Sequence, residues 1–498
     1  MPTAILNRFN GGMTADPRDT SSMSQLCKHF DNYSKPHALT PFRSSEGITT
    51  IASTTQELAQ LSEFQVWDGN LYALGVLEST TKSKIYKGTG IDNPTWTTPN
   101  AEDSTIGRDS DRDKLFIQYK GTFWGAAAGT RLWSWDGAST FTSNAQSITY
   151  TTITQGFVHP KDDILYFGYS NATATYIASK NAGGSWNLTA LTLPSNLIVS
   201  SICDYGNYLA IMCRPAQVGG ISVVYLWDRD STLTTLSESI ELGHNIGYVL
   251  ENIDGYLIAV SITANTSIVI KPKLVFQKYA GGGFQIFKEI PLAAGVNTIT
   301  SKQKKNNRLY FGLNGASVGG TVFDYTGIWS VGRNGETEPF SVSFIQLANN
   351  DTYPNAIKGF ILAEDYFYVS STAQNTNAFT LTKTNDSATY TATSVYTTVI
   401  NPNMPDVDKF KKKKLQAVAV TYTPLPADGQ VVLKYRVDGG NWTTVFTETT
   451  DSAQITEITQ AGSTMFTDGR EYEFSIESTG GAEITGLAYK YETLSTLI

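Results

Sequence analysis

The chain is short of charge, cysteine and histidine, and it has no long apolar run. Only 16% of its 498 residues are charged while 12% are aromatic, which excludes a disordered, self-repelling chain and describes a strand-rich protein with an aromatic core. Cys27, Cys203 and Cys213 are too few, and odd in number, for a disulfide framework. Cys203 and Cys213 flank one strand run, and buried free thiols are the expectation there. The histidines are His29, His37, His159 and His244. Cys27-Lys28-His29 has the one metal-like spacing and falls short of the four ligands of a structural zinc site. No window approaches 18 continuous apolar residues, and residues 1–25 lack a basic start followed by an apolar core. The expectation is therefore no membrane span, no secretory signal and folding in a cytoplasm. A net charge of −8 gives the chain as a whole no electrostatic footprint for duplex nucleic acid or anionic membrane. Neither a phosphate-cradling loop nor a His-Glu zinc helix occurs, and no cofactor is expected.

What is present is a repeat. A polar turn runs into a paired aromatic or aliphatic dipeptide at Leu71-Tyr72, Phe123-Trp124, Leu165-Tyr166, Tyr208-Leu209, Tyr256-Leu257, Leu309-Tyr310 and Tyr366-Phe367, at intervals of 52, 42, 43, 48, 53 and 57 residues. A second strand-like run follows each, as at Ile85-Tyr86, Leu132-Trp133 and Ile328-Trp329, and a third precedes several of them. Short alternating strands bounded by Gly, Asp and Asn read as antiparallel hairpins, and three or four of them every 40 to 50 residues or so is the period of a propeller blade. Radial closure leaves few free sheet edges. The prediction is an all-β chain: a seven-bladed β-propeller over residues 47–398, followed by a small antiparallel β-sandwich.

Residues 1–46, rich in Asp, Ser, Pro and Gly, are expected to form an extended arm over the propeller or a neighbouring subunit, with residues 48–53 as a candidate ring-closing strand. Ala280-Gly281-Gly282-Gly283, Asn314-Gly315 and Gly319-Gly320 mark long hairpin turns at the rim. Pro402, Pro405 and the acidic-then-basic run 406–414 mark a linker over 399–414. Beyond it, Leu433-Lys434-Tyr435-Arg436-Val437 alternates one wet and one dry face, as expected of a sandwich over 415–498.

Several stretches carry candidate chemistry. Ser179-Lys180-Asn181-Ala182-Gly183-Gly184-Ser185-Trp186 resembles the Asp box of sialidases and related propellers, with Asn181 in place of the usual Asp. The resemblance implies a structural hairpin turn built on Ser179, Asn181, Gly183, Ser185 and Trp186, not a catalytic site. Pro41-Phe42-Arg43 is similar to the short arginine motif near the start of sialidases, whose arginines clamp a carboxylate; no tyrosine and glutamate can be placed as nucleophile and base beside Arg43. Trp67-Asp68, Trp135-Asp136 and Trp227-Asp228 resemble WD signatures but stand at inconsistent repeat positions, as turn-flanking aromatics do. Gly315-Ala316-Ser317-Val318-Gly319 matches a nucleophile elbow in spacing only, because it lies between two strand runs where the elbow needs a following helix. Lys409 and Lys411, Lys412, Lys413 and Lys414 surround Phe410. Such a run is ordinarily a solvated face. The sharper reading is a contact with an acidic partner or with the phosphate backbone of passing or packaged DNA.

Phe9-Asn10-Gly11-Gly12-Met13, Asp16-Pro17 and Leu39-Thr40-Pro41-Phe42-Arg43 resemble the start of structural proteins of tailed bacteriophages. The closing run Lys434-Tyr435-Arg436-Val437-Asp438-Gly439-Gly440-Asn441-Trp442, followed by Gly469-Arg470-Glu471-Tyr472-Glu473-Phe474, is similar to the same proteins. The resemblance implies a non-enzymatic virion component of the tail or neck, of the nozzle, hub or DNA-stabilising kind, assembled in the host cytoplasm. Its implied partners are other virion proteins and further copies of itself in a ring. Two readings of other classes stand beside it. A glycan-binding host-recognition protein would show an aromatic platform flanked by amides. A sialidase-type hydrolase would converge arginines and carboxylates on the propeller axis.

Overall fold

The computed structural model describes residues 3–6, 26–28, 30–31, 38–41, 45–47, 58–77, 82–92, 94–97, 102–107, 113–217, 220–232, 236–243, 245–263, 272–279, 281–292, 298–314, 326–333, 340–345, 356–364, 366–372, 379–384, 393–400, 411–459 and 466–494. Among them every regular element is a β-strand. The chain divides into two units, residues 46–326 with 348–383 and residues 1–45 with 327–347 and 384–498.

The first unit is a β-propeller. Its sheets are antiparallel meanders met in chain order, each beginning with its innermost strand. The innermost strands are Leu58–Trp67, Phe116–Tyr119, Thr152–Ile153, Leu197–Tyr205, Asn245–Ile253, Thr298–Lys305 and Ala356–Ala363. Leu197–Tyr205 packs on Asn245–Ile253, that strand on Thr298–Lys305 and that one on Ala356–Ala363, which returns to pack on Leu58–Trp67. The strand Ser45–Gly47, of which Glu46 and Gly47 lie in this unit, takes the outer edge of the last sheet. The proposed closing strand at residues 48–53 lies outside the described residues.

The repeated dipeptide has a physical reason. It opens the second strand of each sheet, directly after a tight turn such as Asp68-Gly69, where both residues have positive φ (48° and 68°) as a two-residue hairpin of matching twist requires. Glycine adopts that conformation without strain and aspartate tolerates it. The second strand is covered on both faces by neighbouring sheets, so consecutive residues are buried instead of alternate ones. Leu71 and Tyr72 are both buried, and Leu165–Ser170 is buried at every position. The apolar core thus lies between sheets. One cluster joins Leu71, Tyr86 and Trp96 of the first sheet to Ile361, Tyr368 and Leu381 of the last.

Polar bonds lock that closing seam. The Lys383 ammonium pairs with Asp92 Oδ1 at 2.6 Å, Tyr368 donates its hydroxyl proton to the Ile91 carbonyl, and Leu61 N–H donates to Ser370 Oγ at 3.3 Å.

The second unit is a two-sheet sandwich. One sheet has the order Thr3–Leu6, Ile484–Thr493, Lys413–Tyr422, Ile455–Thr459. Within this unit the strands of the other sheet follow in the order Gly327–Gly332, Ser341–Ile345, Leu26–Lys28, Ser394–Ile400, Tyr472–Thr479, Gln430–Val437, Thr443–Glu448. Alternate residues point inward: Val418, Val420 and Leu487 from one sheet, Leu433, Phe474 and Ile476 from the other, all buried.

Three expectations are corrected here. The described strands of the N-terminal segment do not lie as an arm over the propeller or a neighbouring subunit, because Thr3–Leu6 pairs antiparallel with Ile484–Thr493 and Leu26–Lys28 with Ser394–Ile400. The sandwich's own chain resumes at 384 and not at 415. The linker is shorter than 399–414, since Ile400 ends one strand and Lys413 begins the next.

Candidate functional site

The inner strands run side by side in one direction along the propeller axis, and their register is fixed by side chains that reach across to the next strand. Ser201 Oγ donates to the Leu250 carbonyl at 3.2 Å and accepts from Leu250 N–H at 3.1 Å. Lys302 Nζ reaches the carbonyls of Ile202 (2.9 Å) and Leu250 (2.7 Å) and the carboxylate of Glu251 (2.9 Å). Gln303 bonds both backbone groups of Leu362, and Gln155 donates to Glu63 Oε2 at 2.8 Å. These contacts tie neighbouring inner strands together at Glu63, Gln155, Ile202, Glu251, Lys302 and Leu362.

Inside the ring is a cavity of about 840 Å³, within the range of sites for small ligands. Its wall carries six cations, Lys114, Arg214, Lys302, Lys304, Lys305 and Lys358, against three carboxylates, Glu63, Glu251 and Glu364. On a chain of net charge −8 this reverses the sign locally. The charges are layered by register. Glu63, Glu251, Lys114 and Lys302 lie near the middle level, and Lys304, Lys305 and Glu364 lie toward the mouth where the first hairpin turns are. At the opposite mouth, where the inner strands begin, the lining has Arg214 and Lys358 among the hydroxyls of Thr152, Ser200, Thr298 and Thr300, with no carboxylate among the described lining residues. Arg214 stands over the Tyr248 ring at 5.7 Å, and burial holds the Tyr248 phenol above its ordinary pKa.

A second polar cluster sits where the third and fourth sheets meet. His159 is fully buried; its Nδ1 accepts from Arg229 Nη1 (3.0 Å) and from Lys161 N–H (3.3 Å), which leaves Nε2–H to face the Tyr208 carbonyl at 3.4 Å. Arg229 also pairs with Asp162, which accepts the Tyr166 hydroxyl at 3.1 Å. Burial first, and Arg229 second, lower the His159 pKa. With both ring nitrogens occupied and no opening to solvent, this neutral histidine is a fastener between sheets.

The Asp-box-like segment forms a hairpin turn between Thr175–Lys180 and Trp186–Leu193, with Ser179 paired to Asn187 and Asn181, Gly183 and Ser185 exposed at its tip. Trp186 turns inward, edge-on to Trp124 (5.2 Å) and Phe167 (5.3 Å). Lys180 Nζ lies 5.0 Å and 5.3 Å from the Trp124 and Trp186 rings and donates to the Gly184 carbonyl at 2.7 Å. Burial lowers its pKa. The WD-like pairs also flank turns: Trp135 is buried, while Asp136 Oδ1 accepts from the N–H groups of Ala138, Ser139 and Thr140 at 2.9 Å each.

The lysine run is corrected in part. Lys413 is 3% exposed, and its ammonium donates to the Arg470 carbonyl at 2.9 Å, so it ties strands together instead of facing a partner. Lys412 is exposed, and Lys411 and Lys414 are half-buried. Lys409, Arg43, His29, His37, His244 and the 315–319 segment lie outside the described residues. Cys203 and Cys213 are buried free thiols whose pKa values burial pushes well up. Among the described residues no group of three or more His, Cys, Asp or Glu side chains is placed to hold a metal ion. Sequence reasoning placed no residue in the channel, because its polar side chains come one or two per repeat with no local motif.

No family model matches the chain, and no curated protein matches it. Among solved structures it is similar to the sialidase of Trypanosoma rangeli, at 9% identity and a TM-score of 0.37 over 91% of this chain and 96% of that one. It is also similar to the Dos1 propeller, at 9% identity and a TM-score of 0.39 over 76% and 93% of the two chains. A third likeness is to the exo-β-1,3-galactanase of Phanerochaete chrysosporium, at 9% identity and a TM-score of 0.30 over 91% and 100%. Likenesses of this degree assign no residue a role. What the chain is, by its own strand order, is an all-β protein with a β-propeller and a β-sandwich.

Proposed function

We propose that the chain is a non-enzymatic structural component of a tailed-phage virion, of the tail or neck, acting in assembly with other virion proteins and with copies of itself. One observation carries the reading. The described residues of the two stretches that resemble phage structural proteins, Leu39 to Pro41 near the start and the strands Gln430–Val437 and Tyr472–Thr479 near the end, fall in one unit, where Leu39 bridges to Ile484 through paired backbone bonds of 2.8 and 3.0 Å. The resemblance therefore falls on one module and not on two unrelated ends. The propeller wall agrees with a load-carrying role, since Lys302, Glu251, Gln303, Gln155 and Glu63 are occupied in holding neighbouring inner strands together. Lys411, Lys412 and Lys414 remain candidates for a contact with an acidic partner or DNA. The test is quantitative mass spectrometry of particles purified from the producing culture. The reading expects this protein at a fixed, integral copy number per particle; its presence in the lysate and absence from the particles would overturn it.

A further inference from the structure

The mouth of the propeller channel where the inner strands begin differs from the rest of the wall. Arg214, on the fourth sheet, and Lys358, on the last, are its charged lining residues, and neither has an ion-pair partner among the described residues. Around them stand Thr152, Thr298 and Thr300, while the carboxylates Glu63 and Glu251 lie deeper and are already bonded, to Gln155 and Lys302. A second observation points to a missing partner. Ser301, one residue before the Lys302 level, lines the cavity with its side-chain oxygen buried and no hydrogen-bond partner. A buried hydroxyl is ordinarily satisfied.

We propose that this mouth binds a short acidic oligosaccharide, its carboxylates held by Arg214 and Lys358 and its hydroxyls by the threonines and Ser301. The chemistry favours a sugar acid over a nucleic acid. The aromatic side chains Phe64, Phe116 and Phe360 in the lining are buried, Phe157 is half-buried against the core between the third and fourth sheets, and Tyr248 is covered by Arg214, so no ring of the described lining stands fully exposed for a base to stack on. Hydroxyls and fixed cations are what a polyhydroxylated carboxylate needs. The cavity volume of about 840 Å³ has room for a few sugar residues.

The experiment is isothermal titration of the full chain with a glucuronate-containing tetrasaccharide, a neutral tetrasaccharide and an eight-residue oligothymidylate. Binding of the acidic sugar alone is expected, weakened about tenfold or more by Lys358→Gln and by Arg214→Gln, the loss of one charge-assisted contact. Lys305→Gln, at the other mouth, should leave it unchanged. A rise in salt from about 50 to 200 mM should weaken the native protein's binding, which keeps the charge requirement measurable even where a variant does not fold. No binding of the acidic sugar, equal binding of the neutral sugar, tighter binding of the oligothymidylate, or an equal loss from Lys305→Gln would each overturn the proposal.

Discussion

Gly359 lies so close to the backbone of Ser62 that a β-carbon there would come within 2.4 Å of the Ser62 carbonyl oxygen, well inside contact distance. Ser62 is on the innermost strand of the first sheet and Gly359 on that of the last, so this contact is where the ring closes. Backbone cannot swing aside as a side chain can. Gly359→Ala is therefore expected to cost about 1–3 kcal/mol, the usual penalty of overpacking. Denaturant unfolding measures it; an unchanged midpoint would mean that the seam is looser than described.

Lys302 and Glu251 give a second prediction. Their side chains are 16% and 8% exposed and 2.9 Å apart, and Lys302 also serves two backbone carbonyls. Lys302→Met strands a buried carboxylate and should destabilise by about 3–5 kcal/mol, the range for breaking a buried pair. The double substitution with Glu251→Gln should recover part of that loss in a thermodynamic cycle. Full additivity would show that the two residues act separately.

The His159 fastener predicts a pH dependence. Its folded pKa is lowered, so the unfolded chain binds the proton more readily. Stability from this group is complete above the unfolded value of about 6.5 and is lost as pH falls through the folded value. Unfolding midpoints should drop between neutral and mildly acid pH. His159→Gln should flatten that drop while lowering stability at pH 7.5, and a variant with the native slope would refute the assignment.

Cys203 and Cys213 are buried with raised pKa values, so the thiolate is scarce and unreachable in the folded protein. Alkylation followed by peptide mass mapping should leave both unmodified in native buffer and modify both in denaturant. Labelling of either in the native state would contradict the packing between the third, fourth and fifth sheets.

The N-terminal strand supplies a further test. Removing residues 1–6 uncovers the edge of Ile484–Thr493, and amide exchange there should quicken while the inner propeller strands keep their protection. Unaltered exchange along Ile484–Thr493 would show that the pairing contributes nothing.

The propeller was legible because its punctuation is chemical. Asp68-Gly69, Lys120-Gly121, Asp254-Gly255 and Asn306-Asn307 adopt positive φ at the hairpin between first and second strands, and only a few residue types do so readily. The doubly covered second strand then supplies the apolar dipeptide. The sandwich showed itself by alternation at Leu433 to Val437. Thr3–Leu6 and Leu26–Lys28 were not legible, since strands of four and three residues carry no period and owe their existence to partners some 480 and 370 residues away. The same reason hid Lys413, whose charge reads as solvated until Arg470 is placed beside it. The channel was hidden for a related cause: Arg214, Ser301 and Lys358 are brought together by the ring alone.

The proposed virion role requires assembly, and the mass of the purified protein by light scattering, alone and after mixing with the other proteins of purified particles, measures it. A single defined multimer, alone or on mixing, is the predicted result. A monomer of 54.3 kDa under both conditions would contradict the account.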